Sequence, residues 1–475
     1  MIHAQYPIYH HAKLVLECAT PLSIKADDAD PTFDTRLMRD ANGLPTIPGT
    51  AIAGVLRSLC FKAFGEETAN QIFGYAQGSA SQKSLLSVSF GYIHNSKNQP
   101  IQGLVSDESI AKDELLLKLK DAQPIVRDQV KLTHKGVAKK GGKMDRTLVP
   151  SGTRFSVELT YLAQDKESSQ WQNILSLFTR PDFRLGGLTR RGLGTMKVES
   201  AQDVILDLQE PKDRQAWLAK PAYQQCADLK MNTQHPDFIA LNLALQAEDF
   251  WRIGSGHSPI GENYSKDPKM MPKTEWRVSW LGNQAQLFKH KKSIVIPATA
   301  IKGALSHRLA FHYNCEAGQY VEQQTAQVEG DNLAVRTVFG IEKNTQKDTG
   351  HAGFVLFNDV YLDQTNVKTQ VIMHNAIDRF TGGTVDGALY SEELLWQTPL
   401  TLDIYFDKQG LTNYIHTQNL SQQERLNIQT ALRKTFEDLT QSRLAIGAGS
   451  TKGHGYFSAK ANPIEFDNLL TGAVT

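Results

Sequence analysis

Cysteine is scarce. Cys18, Cys60, Cys226 and Cys315 are the four in 475 residues, and none is paired as CxxC. That spacing argues against a disulfide framework and a cysteine zinc site. Long apolar runs are also missing, with no uncharged stretch of about 18 residues to span a bilayer and no secretory leader, so the chain is expected in the cytoplasm and off membranes. An excess of one charge is absent too: 51 Lys plus Arg stand against 50 Asp plus Glu. Such a balance gives no global pull on a polyanion, and any anion binding must come from local patches. What remains is an ordinary globular composition, 40% hydrophobic and 21% charged, in a chain too long for one core.

The division of that chain is visible as a duplication. Residues 47–57 read IPGTAIAGVLR, and residues 296–306 return as IPATAIKGALS. Without a gap, Ile47, Pro48, Thr50, Ala51, Ile52, Gly54 and Leu56 meet Ile296, Pro297, Thr299, Ala300, Ile301, Gly303 and Leu305. Each phrase reads as a turn feeding a helix, with Thr50 or Thr299 as the expected N-cap and Ile52, Val55, Leu56 and Leu59 at helical spacing. Gly54 and Gly303 cost about 1 kcal/mol each against Ala in a helix, so something is expected to lie too close to that face for a methyl group.

Around each phrase the periodicities follow one order. In the first half, residues 11–18 and 154–162 alternate as strands, residues 85–93 supply another, Trp171, Ile174, Leu175 and Phe178 mark a helix, and residues 195–199 form a last strand. In the second half, strands fall at 238–245, 353–362 and 400–406. Ser421 and Glu424 there make a capping box before a helix with Ile428, Ala431, Leu432, Thr435, Phe436 and Leu439 on one face. The polar stretch near 201–234 is a plausible linker. The order strand, helix, strand, strand, helix, strand predicts an α+β chain of two ferredoxin-like (RRM-like, βαββαβ) domains, residues 1–222 and 235–475. Each has both helices on one face of a four-stranded antiparallel sheet and the other face open to a ligand.

Four segments carry candidate chemistry. A glycine-rich loop sits between the second helix and the last strand of each half: LGGLTRRGLG holds Gly186, Gly187, Gly192 and Gly194 with Arg184, Arg190 and Arg191 close by, and GAGSTKGHG holds Gly447, Gly449, Gly453 and Gly455 with Lys452 and His454. Glycines let backbone N–H groups approach an anion and arginines grip phosphate, so each loop reads as a phosphate cradle. It is neither a Rossmann fingerprint nor a P-loop, because the glycines follow a helix and precede a strand. Residues 126–152 string Lys131, Lys135, Lys139, Lys140 and Lys143 among glycines with little to bury, as a flexible basic arm suited to nucleic acid. Residues 25–43 crowd Asp27, Asp28, Asp30, Asp34 and Asp40 before the first signature helix.

Together, twice over and in this order, these phrases resemble the RAMP superfamily, the backbone subunits of type III CRISPR effector complexes. The resemblance covers both halves, through IPGTAIAGVLR, MDRTLVPSGTRF, LGGLTRRGLG, IPATAIKGAL, AIDRFTGGTVDGAL and GAGSTKGHG. It implies RNA-binding modules stacked along a guide RNA with other effector subunits, each hooking a thumb between guide and target, here residues 129–147 and 376–389. It also implies target-RNA cleavage by a loop aspartate with a divalent metal, Mg or Mn. DTRLMRDANGLPTIPG from Asp34 matches the family's catalytic loop, making Asp34 the catalytic and metal-binding candidate, with Arg36 and Arg39 as phosphate contacts. Arg57, Lys302 and Arg379 join the implied RNA contacts. In the second half the position answering Asp34 is Asn283, and Asp267, besides Glu262, is the nearby acid, a weaker catalytic candidate. Two other readings stay open: a metal-independent guide-precursor endonuclease using His10, His11 or His257, and a binding-only subunit.

Overall fold

A computed structural model describes residues 5–26, 36–78, 80–219, 227–254, 256–261, 267–287, 293–320, 322, 331–344, 349–362 and 367–459. The chain is mixed α and β, and its elements follow the two sequence halves. In the first, β1 (Ile8–Cys18), α1 (Gly49–Phe64), β2 (Leu86–Val88), β3 (Ile125–Leu132), β4 (Ala138–Leu148), β5 (Arg154–Ala163), α2 (Ser169–Ser176) and β6 (Met196–Asp207) succeed one another. Their main sheet runs β6-β1-β5-β2, antiparallel throughout, with Ala227–Asp228 added outside β6 and Tyr92–Ile93 alongside β5.

The second half gives β7 (Phe238–Ala247), β8 (Val278–Leu281), β9 (Gln284–Leu287), α3 (Ala298–Glu316), β10 (Gly340–Asn344), β11 (Val355–Phe357), β12 (Lys368–His374), β13 (Tyr390–Trp396), β14 (Pro399–Asp407), α4 (Gln422–Thr440) and β15 (Phe457–Ala459). Its main sheet runs β11-β14-β7-β15, again antiparallel. Counting main strands along each half, both orders place the last strand beside the first and the third beside the second.

Alternation decides the faces. Ala12, Leu14, Leu16 and Cys18 of β1 are buried against α1 and α2, which bring Ile52, Leu56, Cys60, Trp171, Ile174 and Leu175 into one core. Leu241, Leu243, Leu245 and Ala247 of β7 do the same in a second core, with Ile301, Leu305 and Leu309 of α3 and Ile428, Leu432 and Phe436 of α4. The opposite face of the second sheet is solvent-exposed along Asn242, Ala244 and Gln246. That of the first sheet is not fully open as expected: Trp280 from β8 lies over Arg154, 4.3 Å from ring centroid to guanidinium carbon, and Trp217 packs edge-on to Tyr9.

Several local expectations are corrected. Pro48 and Pro297, not Thr50 and Thr299, stand at the N-caps, and the helices begin at Gly49 and Ala298 with no side-chain cap bond. Among the described residues nothing lies within 4 Å of a β-carbon built on Gly54 or Gly303, so none of them demands those glycines. Residues 126–152 are not a shapeless arm. β3 and β4 pair from Ile125↔Leu148 outward to Leu132↔Ala138 as a long hairpin. The last strand of the first half continues to Asp207, into the stretch read as linker.

The two halves interlock. The β8–β9 hairpin of the second half enters the first core: Val278 is buried there, and Trp276, Trp280, Ala285 and Leu287 pack against it. The Val278 N–H donates to Ser151 O at 2.9 Å, Trp280 Nε1 to Gly152 O at 2.7 Å and Trp276 Nε1 to Pro124 O at 2.5 Å. Among the described residues no helix is long and apolar enough to cross a membrane.

Candidate nucleic-acid interface

The seam between the halves is built on charges taken out of water. Arg127, in β3 at the root of the first hairpin, donates Nε and Nη2 to Glu275 at 2.8 and 2.6 Å and Nη1 to Asp359 at 2.6 Å. All three side chains are buried. A bidentate fork is the geometry that compensates such desolvation best. The two carboxylates hold Arg127 charged against its burial, while burial pushes Asp359 upward against the pull of Arg127 and of the Ala298 N–H. That N–H, the first of α3, donates to Asp359 Oδ1 at 2.8 Å, so the same carboxylate anchors hairpin and signature helix. On another part of the seam Lys62 Nζ bridges Asp182 at 2.6 Å and Asp407 at 2.5 Å.

The first glycine loop is mortised into this seam. Leu185 N donates to Gly194 O, Gly194 N to Pro21 O and Gly187 N to Ser23 O, between 2.7 and 2.9 Å. At Gly186 and Gly194, both with positive φ, a β-carbon would strike the carbonyls of Ser23 and Leu185. Arg184, read from sequence as part of the cradle, is buried instead. Its Nη1 donates to Phe357 O at 2.7 Å and Thr189 O at 3.0 Å, and its Nη2 to Asn358 Oδ1 at 2.8 Å. Burial, then the charge of Arg190, pushes it down to about 9, still a cation at neutral pH. Arg184 therefore fastens the halves together.

The remaining cations gather at the loop's outer turn, Thr189–Arg191. Arg190 donates no side-chain hydrogen bond among the described residues; burial lowers its pKa, opposed by Asp182 and Asp407. Arg191 meets Glu342 at 3.1 Å. Lys302, one turn into α3, donates to Arg190 O and Phe339 O, both at 3.3 Å. Burial, then the charges of Arg191 and Arg190, pushes it down to about 8. Lys131, on the hairpin, reaches Glu342 at 3.5 Å, and Lys135, Lys139 and Lys140 are exposed further out.

The second glycine loop has less cationic surface to offer. Gly447 and Gly455 press on Arg252 O and Ile446 O, and Gly449 on the His454 ring, whereas Gly453 is unobstructed. Lys452 Nζ donates to Tyr390 OH at 2.6 Å and to the buried Glu392 at 3.3 Å, a carboxylate that Arg252 also holds. His454 is buried beside it, and burial lowers its pKa. The segment expected as the second thumb, residues 376–389, closes on Ile377↔Thr384, and Asp378 Oδ1 accepts from the N–H groups of Phe380 and Thr381. That turn leaves Arg379 and Phe380 exposed at its tip.

Asp34, with Asp27, Asp28, Asp30 and Glu262, lies outside the described residues. Ala26 N donates to Arg36 O across the ends of the first segment, and Arg36 is exposed. Arg39 is no open phosphate contact: its guanidinium donates to the carbonyls of Gly43, Leu119, Lys120 and Asp121. Asp40 is spent as well, accepting from Asn42 N and Leu44 N at 2.9 Å. Arg57 donates to Gly74 O and Asn70 Oδ1. Asp267 is exposed, and Asn283, answering Asp34, bonds to Asn98. Among the described residues no grouping of three or more His, Cys, Asp or Glu is placed to hold a metal ion.

The family model described as RAMPs, RAMP superfamily, matches residues 15–197 and 245–458. The chain belongs to the RAMP superfamily. Both matched regions of this RAMP chain contain one signature helix and one glycine loop. It is similar to the CRISPR system Cms endoribonuclease Csm3 of Methanocaldococcus jannaschii, 29% identical over 174 residues, covering 34% of this chain and 66% of that protein, a little under two thirds of its length. A chain in the cryo-EM structure of the type III-B Cmr-beta complex bound to cognate target RNA is 14% identical, covering 41% of this chain and 61% of that one, at a TM-score of 0.29, too low to establish a common fold. Glu342, Arg127, Glu275 and Asp359 escape a sequence reading. Through the pairings Ile47↔Gly91 and Ile296↔Val360, Asp359 answers Phe90 of the first half, so the duplication gives no sign of a carboxylate there.

Proposed function

We propose that the chain is two ferredoxin-like RAMP modules fused in tandem, a guide-RNA-binding backbone subunit of a type III CRISPR ribonucleoprotein that captures complementary target RNA alongside other effector subunits in the cytoplasm. The observation that carries this reading is the double family match, residues 15–197 and 245–458. In support, Arg190, Arg191, Lys302 and Lys131 gather where the glycine loop of one module meets the signature helix of the next. Base pairing to the guide supplies sequence specificity, so the protein needs to hold only the backbone. The first module cleaves the target from Asp34. A divalent cation, Mg or Mn, held there would stabilise charge developing on the phosphate. Of the candidate histidine bases, His10 is buried between Tyr161 and Trp171 and His11 lies against Thr160 and Tyr9, which speaks against both, while His257 is exposed. Purification with its partners and sequencing of the RNA that accompanies it tests the proposal: a pool of guides with a common flank supports it, and random RNA or none refutes it. Chelation should stop target cutting while leaving guide retention intact.

A further inference from the structure

Glu342 belongs to the second half, yet both its carboxylate oxygens face cations of the first. Oε1 lies 3.1 Å from Arg191 Nη2, and Oε2 lies 3.5 Å from Lys131 Nζ. The side chain is 70% exposed, so packing does not fix it there. Behind this pair Lys302 binds the backbone oxygen of Arg190, whose guanidinium donates no hydrogen bond among the described residues and feels the carboxylates of Asp182 and Asp407. One exposed carboxylate thus stands before cations supplied by a hairpin, a loop and a helix from both halves. To a guanidinium, a carboxylate and a phosphodiester offer the same thing, two anionic oxygens that accept paired N–H bonds.

We propose that Lys131, Arg190, Arg191 and Lys302 form one composite phosphodiester site across the seam, that it takes the RNA sugar–phosphate backbone, and that the Glu342 carboxylate fills it until RNA displaces it. The proposal rests on the RNA-binding reading above. It makes RNA entry an exchange of one anion for another. Glu342 then lowers affinity for any stray polyanion, and the site exists only while both halves are docked.

The test is the affinity of the full chain for a labelled single-stranded RNA of mixed sequence, by anisotropy at several salt concentrations. Glu342→Gln should bind about 2- to 5-fold tighter, the scale of one exposed ion pair removed, with an unchanged melting temperature. In an Arg191→Ala background the gain should shrink or vanish. Unaltered affinity in Glu342→Gln overturns the exchange. So does a gain that survives whole without Arg191, since Glu342 would then act only as distant charge. Those failures differ from failure of the underlying reading: if wild-type chain binds no RNA, or binds it indifferently to Arg190→Ala and Arg191→Ala, the seam is not an RNA site at all.

Discussion

Gly192 stands against Ala298 so closely that a β-carbon on the glycine would lie 2.2 Å from that of the alanine, and 3.0 Å from Asp359 Oδ1. The first glycine loop therefore touches the second signature helix at its first residue. Gly192 also has φ +94. Gly192→Ala should lower stability by about 1–3 kcal/mol, from strain and overpacking together. Gly187→Ala is the control: among the described residues its β-carbon would meet nothing closer than Ser23 O at 3.8 Å. Thermal melts of the two variants side by side check this, and equal melting temperatures would show that the seam tolerates the added carbon.

Arg184 and its neighbours should separate cleanly. Replacing Arg190 and Arg191 by Ala should leave melting nearly unchanged, weaken single-stranded RNA binding and reduce the salt slope by about 0.7 for each phosphate no longer neutralised. Arg184→Ala takes the guanidinium donor from Phe357 O and one of two donors from Asn358 Oδ1, which keeps the Thr195 hydroxyl, and should cost about 1–3 kcal/mol of stability. Titrations at several salt concentrations, with denaturant melts, distinguish the two behaviours.

Lys302 predicts a pH dependence. Its ammonium is held down to about 8, and a bound phosphate would restore it toward the ordinary lysine value. The RNA-bound form then takes up a proton that the free form has lost, so affinity should fall as pH rises above about 8. Lys302→Arg, charged throughout, should flatten that fall. The fold responds in the opposite sense: a lysine depressed by burial disfavours the folded state when protonated, and that penalty lifts as pH climbs from about 8 toward the unfolded value. Binding isotherms from pH 7 to 9.5 settle the matter, and parallel profiles for wild type and Lys302→Arg would exclude Lys302 from contact.

Asp34→Ala should assemble, bind guide and target with near-wild-type affinity, and lose target cleavage at the first module by about 10²-fold or more, roughly 3 kcal/mol of barrier. Asp267→Ala is the matched change in the second half and should have little effect. Gel assays of end-labelled target show which cut disappears. Persistence of every cut in Asp34→Ala would move the chemistry to another subunit.

What could be read in the sequence was what is local or repeated. Alternation in residues 238–245 and 400–406 gave strands because each side chain's face is fixed by its own backbone. The Ser421–Glu424 box forms with both reciprocal bonds for the same reason. Thr50 misled because Pro48 already occupies the cap and the helix starts at Gly49, two residues earlier than a Thr50 cap would place it. Arg39 and Arg184 looked like phosphate ligands because sequence reports charge but not its partners, and both guanidiniums are taken by carbonyls from distant segments. The seam was hidden for the same reason: Arg127, Glu275 and Asp359 are far apart along the chain, and only folding brings them together.

The β8–β9 hairpin gives this chain's synthesis a timetable. Once residue 222 has left a ribosome the four main strands β1, β2, β5 and β6 and the helices α1 and α2 of the first core are all present, yet the surface that Val278 seals and the shelf beside Gly152 are still bare. At about 5–20 residues per second the missing piece, ending at Leu287, arrives roughly 3–13 s later. A nascent first half must wait that long with an apolar gap in its side. Cutting the gene between the halves would make the wait permanent, and a separately made first half should be held by chaperones or aggregate until the second is supplied.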